Sequence, residues 1–252
     1  MSDTRANPSW WNHQRHSLVR LRRQIERHVD DILSQRAARI VVDVGCGDMP
    51  YRQLFEARGL QYVACDITPT APITIHPGQA IPLDDGSADI VTSMQVLEHV
   101  WDLQWYLSEC HRLLAPEGTL LLSTHGTWLY HPHPTDFRRW TCDGLTVEIE
   151  SRGFIVEHIV GIMGPLAWTT QFRLLGYREI LRVIPGVREL LLPVLVVLMN
   201  IRMVLEDAIT PASIRQSNAC VYLVVARPIP GGGGLATSAR PSSATTVEQG
   251  RS

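Results

Sequence analysis

The sequence predicts an α/β fold: a doubly wound parallel sheet carrying helices on both faces, with an apolar helical insertion ahead of the final strand. Three observations predict it. Residues 40–51, IVVDVGCGDMPY, form a short β-branched run that ends in an acid and breaks into a glycine turn, the pattern of a strand buried on both sides. Further short apolar runs at 61–65, 88–94, 119–123, 154–160 and 219–226 are separated by stretches of helical spacing or turn chemistry. Residues 162–209 then change character and are dominated by leucine, valine and isoleucine.

Composition narrows the functional classes. A chain of 252 residues can bury a substantial core, and a formal charge of −2 gives no reason to expect nucleic acid as a partner. All 23 basic residues are arginine, so chemistry that requires a lysine amine, including a pyridoxal Schiff base or a P-loop, is excluded. Five cysteines without CxxC spacing read as free thiols in a reducing compartment. The first residues lack the apolar core of a signal peptide, which sets the expectation of a cytoplasmic protein.

Taken in order, residues 1–15 are expected to form a loose leader in which Trp10 and Trp11 dock somewhere. Leu18, Leu21, Ile25, Val29, Ile32 and Leu33 fall at helical spacing and predict an amphipathic helix over 16–38, its arginines on a solvated face. Residues 51–58 read as a short helix stopped by Gly59, and 61–65 as a strand that ends in Asp66. The proline-rich stretch 68–82 allows only a short strand at 73–75, and Asp84-Asp85-Gly86 reads as a turn. A helix is expected over 102–114, with Trp101 and Trp105 packed into the core. Thr141 can cap a helix running to Ser151, which Gly153 ends. The longest uncharged run of the insertion, 190–201, holds 12 residues including Pro193 and Asn200. Crossing a bilayer takes about 20 apolar residues, so the insertion is expected to be a lid, a core element, a homodimer face or a peripheral membrane contact. The tail from Pro228 is expected to be disordered.

The glycine turn points to a nucleotide-like ligand. Gly45 and Gly47 let the backbone approach it closely, and Asp66, 21 positions after Gly45, stands where an acid can accept both hydroxyls of a ribose. Nicotinamide and S-adenosylmethionine sheets share this arrangement. The nicotinamide fingerprint GxGxxG/A requires its last small residue at Pro50, where proline is the wrong shape.

IVVDVGCGD resembles motif I of the class I S-adenosylmethionine-dependent methyltransferases. ACDI resembles their ribose-binding acid, IPLDDGSADIV the segment before their fourth strand, and MQVLEHV with HRLLAPEGTLLLS the two segments beyond it. Together these cover about residues 40–125 in the family's order, and the chain is most similar to the branch called methyltransferase type 11. The resemblance implies a Rossmann-like sheet of seven strands with the last antiparallel. With the composition changes along the chain, this divides it into a leader and helix (1–39), a cofactor-binding core (40–161), the apolar insertion (162–210), the final strand (211–227) and a tail (228–252).

Carried over position by position, the resemblance implies that Asp43, Gly45, Cys46 and Gly47 hold the methionine end of S-adenosylmethionine. Asp66 would bind the ribose, Ile67 and Ile81 would line the adenine region, and Gln95 would stand at a strand tip. Met49 replaces a third glycine, and Pro77 falls where many members carry an adenine-contacting acid, with Gln79 as the substitute. Because the sulfonium methyl is already activated, transfer to oxygen needs alignment and a base. His133 is the expected base, with His125 and Asp136 as further catalytic candidates, and His131 and His99 nearby. Asp136 with Arg139 also reads as an ion pair pinning the loop. No metal is expected, since no third histidine is placed by spacing beside His131 and His133. The expected acceptor is a small molecule, sugar or lipid-linked glycan, shaped or delivered by the insertion. A methyltransferase-like subunit without turnover is the alternative.

Overall fold

A computed structural model describes residues 3–132, 134–182 and 187–231. After a short helix α1 (Asp3–Ala6), the long helix α2 (Arg15–Gln35) leads into the strand β1 (Ile40–Val44). There follow α3 (Arg52–Glu56), β2 (Gln61–Asp66), β3 (Ile73–Thr74), β4 (Ala88–Met94) and, beyond a single 3-10 turn at Leu97–His99, α4 (Leu103–Leu113). The chain continues through β5 (Leu114–His125), α5 (Cys142–Glu150), β6 (Phe154–Ile162), α6 (Pro165–Arg182), α7 (Val187–Ile209), α8 (Ala212–Ser217) and β7 (Val221–Pro228). The strands form one seven-stranded sheet in the order β3-β2-β1-β4-β5-β7-β6, parallel except for β7, which runs against both of its neighbours.

Strand period two distributes the apolar residues over two cores. Val42, Val44, Val91, Leu120, Leu122 and Val224 face one side, where they meet Leu107 and Leu113 of α4 and Leu145 and Ile149 of α5. Val41, Ile90, Leu121, Leu223 and Val225 face the other, where they meet α2, α3, α6 and α7 through Ile25, Val29, Phe55, Leu174, Val196 and Met203. The central strands therefore read as unbroken apolar runs because both of their faces are covered. Thr141 caps α5 as its position predicted, accepting a hydrogen bond from the Gly144 amide at 3.1 Å.

The insertion consists of α6 and α7, and its inner face belongs to the second core. Its outer face leaves Leu191, Val194, Leu198, Leu205 and Ile209 exposed. No described helix is long and apolar enough to cross a membrane. Asp207, buried at the end of α7, ties the insertion to the start of the chain. Its carboxylate lies 3.2 Å from both His16 Nε2 and Arg20 Nη1 on α2, 3.6 Å from Arg215 Nη1, and accepts the Gly164 amide at 2.8 Å. Asn200 adds a second tie by donating to the carbonyls of Trp10 (2.9 Å) and Asn12 (3.0 Å). The leader is thus held by its backbone, whereas the rings of Trp10 and Trp11 stay exposed at 43% and 64%.

Other expectations need correction. Trp101 is 72% exposed and Trp105 half-buried, because Trp101 stands before the first turn of α4 on the rim of a cavity and not on the helix's inner face. The last strand runs to Pro228, two residues further than its apolar run, paired there with Phe154. The tail beyond Gly231 lies outside the described residues.

Candidate active site

In the sheet order, β1 and β4 are neighbours while β2 and β3 continue on the far side of β1, so the connections leave in opposite directions beyond their carboxyl ends. Such a switch point is where open α/β sheets bind ligands. A chamber of about 1090 Å³ opens there. Single-ligand pockets run from about 300 to 1,000 Å³, so this one has room for two ligands side by side.

One end is built by the turn after β1. Gly45 has φ +85°, and a Cβ on it would stand 2.6 Å from Val96 Cγ2, so only glycine fits. Gly47, at φ +51°, donates its amide to Asp66 Oδ2 at 2.8 Å, and Asp66 Oδ1 accepts from the Thr68 amide at 2.9 Å. Met49 adopts φ 55°, a left-handed conformation that costs a non-glycine residue roughly 1–2 kcal/mol. Gln95, at the tip of β4, also has a positive φ, 60°, and lines the chamber. Asp43 is buried beneath the turn, and its Oδ2 accepts from the Tyr62 hydroxyl while Oδ1 has no partner. Burial, against the Tyr62 hydrogen bond and with the help of the Asp66 charge, pushes the Asp43 pKa up to about 7.

Of the residues expected to hold a cofactor, Asp43, Gly45, Cys46, Gly47, Asp66, Ile67 and Gln95 all line the chamber. Ile81 does not: its side chain is in the core and its amide donates to Glu109 Oε2 at 2.7 Å, leaving Ile75, Pro77 and Gly78 to form that wall. Gln79 is turned away as well, its carbonyl accepting from the Trp105 indole at 3.0 Å.

The other end is built by the segments after β4 and β5. Glu98 is fully buried; its Oε2 accepts from the Thr124 hydroxyl at 2.7 Å, and its Oε1 touches His125 Nδ1 at 2.7 Å without the alignment of a hydrogen bond. Burial alone would raise the Glu98 pKa, but the neighbouring His125, the backbone and Thr124 outweigh it and hold the carboxyl below its usual range. His125 stacks on Trp128 at 5.0 Å, and His131 stands edge-on to His125 at 4.8 Å and to His99 at 4.9 Å. Burial, then repulsion from His125, lower the His131 pKa against the pull of Asp136.

Asp136 does not line the chamber. Arg139 clamps both of its oxygens at 2.5 and 2.6 Å, and the His131 amide donates to it at 2.9 Å. Arg139 thereby holds the Asp136 carboxyl well below the carboxylate range, and so weak a base cannot take a proton at neutral pH. Its work is the ion pair that fixes the loop. His133 lies outside the described residues, while His125, His131 and His99 all face the chamber.

The family model described as a methyltransferase domain matches residues 42–122. A probable S-adenosylmethionine-dependent methyltransferase of Mycolicibacterium smegmatis is 33% identical over 143 residues, which is 50% of this chain and 56% of that protein. A ubiquinone biosynthesis O-methyltransferase of Pseudomonas paraeruginosa is 32% identical over 104 residues, 35% of this chain and 45% of that one. Among solved structures, the cyclase SpnF superposes with a TM-score of 0.52 at 15% identity, covering 82% of each chain. A putative sarcosine dimethylglycine methyltransferase from Galdieria sulphuraria gives 0.50 at 14%, covering 82% of this chain and 86% of that one.

This chain matches a methyltransferase domain over residues 42–122, on the seven-stranded fold of the class I methyltransferases. It spans about half the length of the curated relatives it matches. The methyltransferase cofactor is S-adenosylmethionine, and the turn fits it: the unpartnered, buried Asp43 Oδ1 and the glycine cradle suit a cationic ligand end, and Asp66 suits a ribose. A cationic ligand binds ionised Asp43 better than the neutral acid, so binding below the pKa must expel a proton. Affinity for S-adenosylmethionine is therefore expected to be constant above pH 7 and to fall by up to tenfold per pH unit below it. Calorimetry from pH 5.5 to 8.5 checks this, with Asp43→Asn expected to bind weakly at every pH.

The sequence reading missed several chamber residues. Arg5, Gln14, Ser17 and Leu18 come from the leader and the start of α2, not from the insertion, of which no described residue beyond β6 lines the chamber. Trp101 belongs to the chamber and not to the core, and for Glu98 the signal in the sequence is an acid directly before His99.

Proposed function

We propose that the chain transfers a methyl group from S-adenosylmethionine to a hydroxyl oxygen of a small, largely apolar acceptor, with His125 as the base. One observation carries this reading: a single chamber runs from the glycine turn to His125 and is lined on the way by Tyr51, Trp101, Trp105, Tyr106, Trp128 and Phe137. Aromatic walls hold a flat apolar acceptor and exclude water, while few groups there are free to accept a proton. The resemblance to an O-methyltransferase of ubiquinone biosynthesis supports oxygen as the receiving atom.

S-adenosylmethionine supplies a methyl already activated on a sulfonium. His125 takes the hydroxyl proton, and Glu98, against its Nδ1, orients the ring and balances the positive charge that develops. Held by the glycine turn and Asp66, the cofactor would give up its methyl to the acceptor oxygen, and the electron pair of the broken carbon–sulfur bond would stay on sulfur. The products are a methyl ether and S-adenosylhomocysteine.

The test joins two measurements on His125→Ala. S-adenosylhomocysteine should bind as it does to the unaltered chain, while formation of the +14 Da product found on deletion and complementation should fall about 100-fold, the scale of one general base. Unchanged product formation removes His125 from the mechanism. A +14 Da product on nitrogen or carbon overturns the choice of acceptor atom.

A further inference from the structure

We propose that Glu98, His99 and His131 bind a divalent transition-metal cation at the inner end of the chamber. One ligand atom from each lies within 4.8 Å of the other two. Two imidazoles and a carboxylate form a donor set suited to zinc, cobalt or iron.

The surroundings of each donor are those of a ligand. The His99 Nδ1 is held against the Thr135 carbonyl, which leaves Nε2 pointing inward, 4.0 Å from Glu98 Oε1. His131 Nδ1 lies 3.3 Å from Asp136, whose carboxylate Arg139 clamps in turn, so this ring too has one nitrogen backed by an oxygen and one free. Oxygen backing of this kind orients metal-bound histidines. Glu98 Oε1 supplies the third donor. It is fully buried, its closest polar neighbour is His125 Nδ1 at 2.7 Å without the alignment of a hydrogen bond, and its twin Oε2 is satisfied by Thr124. A buried carboxylate oxygen without an aligned donor keeps lone-pair capacity that a cation can complete.

With metal–nitrogen bonds of about 2.0–2.1 Å, tetrahedral ligand atoms stand about 3.3 Å apart, so modest rotations of the His99 and His131 rings close the set. Three protein ligands leave an open position. His99 and His131 line the chamber, so that position faces the acceptor. Binding of the ion stands on this geometry alone; its use in polarising an acceptor oxygen rests on the methyl-transfer reading above.

The experiment takes the full chain, strips it with a chelator and titrates cobalt(II) by visible absorption, with zinc as competitor. One equivalent of cobalt is expected, with ligand-field bands that zinc abolishes. His131→Ala, on a surface loop, should weaken cobalt binding roughly 100-fold and Glu98→Gln likewise, while His111→Ala, outside the cluster, should not. Calorimetry with S-adenosylhomocysteine on the same samples should show unchanged binding in His131→Ala, which proves that variant folded. Uptake of less than one equivalent by the unaltered chain, or cobalt binding that survives His131→Ala, overturns the site. Cobalt binding without S-adenosylhomocysteine binding would uphold the site and overturn the methyltransferase reading instead.

Discussion

Replacing Asp66 with alanine should weaken S-adenosylhomocysteine binding by about 100-fold or more, measured by calorimetry at pH 8. The carboxylate has two tasks. It accepts the Gly47 and Thr68 amides at 2.8 and 2.9 Å, which ties the glycine turn to the end of β2, and its remaining lone pairs face the chamber. Hydrogen bonds to a charged group contribute about 1.5–3 kcal/mol each, so losing two ribose bonds alone reaches that factor. Asp66→Asn separates the tasks, since it retains an acceptor for one amide but loses the charge; an intermediate loss is expected. Affinity unchanged in Asp66→Ala would refute the ribose role and, with it, the placement of the cofactor.

Replacing Asp207 with alanine should destabilise the fold by about 3–5 kcal/mol, because it strands buried partners instead of merely removing a surface pair. His16, Arg20, Arg215 and the Gly164 amide all converge on this fully buried carboxylate. Urea unfolding followed by far-UV circular dichroism measures the change. Burial alone would raise the Asp207 pKa, but His16, Gly164 and Arg20 outweigh it and bring it down to about 2. A group whose native pKa is depressed gives stability that is fully present above its unfolded value, near 3.8, and is lost as pH falls through about 2. The stability gap between the two proteins should therefore be constant at neutral pH and narrow only in strong acid. The substitution should also weaken cofactor binding in chains that remain folded, because Gln14, Ser17 and Leu18, beside the clamp, line the chamber. A change below 1 kcal/mol would show that His16 and Arg20 find water as readily as they find Asp207.

Much of this was legible in the sequence because the signals were local. A β-branched run followed by glycines at 45 and 47 can hardly do anything but turn out of a buried strand, and Asp66 follows at the spacing a βαβ unit requires. Thr141 capped its helix, and Asp136 found Arg139 three residues away. What stayed hidden depended on contacts distant in the chain. Nothing near Arg5 or Gln14 says that they wall a chamber formed at the ends of β1, β2, β4 and β5. Trp101 looks like core by size alone, and its place ahead of the first turn of α4, on the rim of the chamber, is what leaves it exposed. The carboxylate of Glu98 meets His131 across more than 30 positions, so periodicity could not pair them. Ile81 failed for a subtler reason: proline on its C-terminal side and the Glu109 acceptor turn its side chain inward, handing its wall to Ile75.

The position of β7 has a consequence for how the chain is made. β7 pairs with β5 on one side and β6 on the other, and among the described residues β6 has β7 as its sole partner in the sheet. On a ribosome, β5 and β6 are complete before the intervening α6, α7 and α8 emerge, and at about 5–20 residues per second the strand that joins them follows several seconds later. Through that interval the outer edge of β5, with Leu121 and Leu122 beside it, has no neighbour, and open apolar edges invite pairing with other chains. The last pairing of the sheet therefore forms late, and until β7 arrives the nascent chain carries an open apolar strand edge.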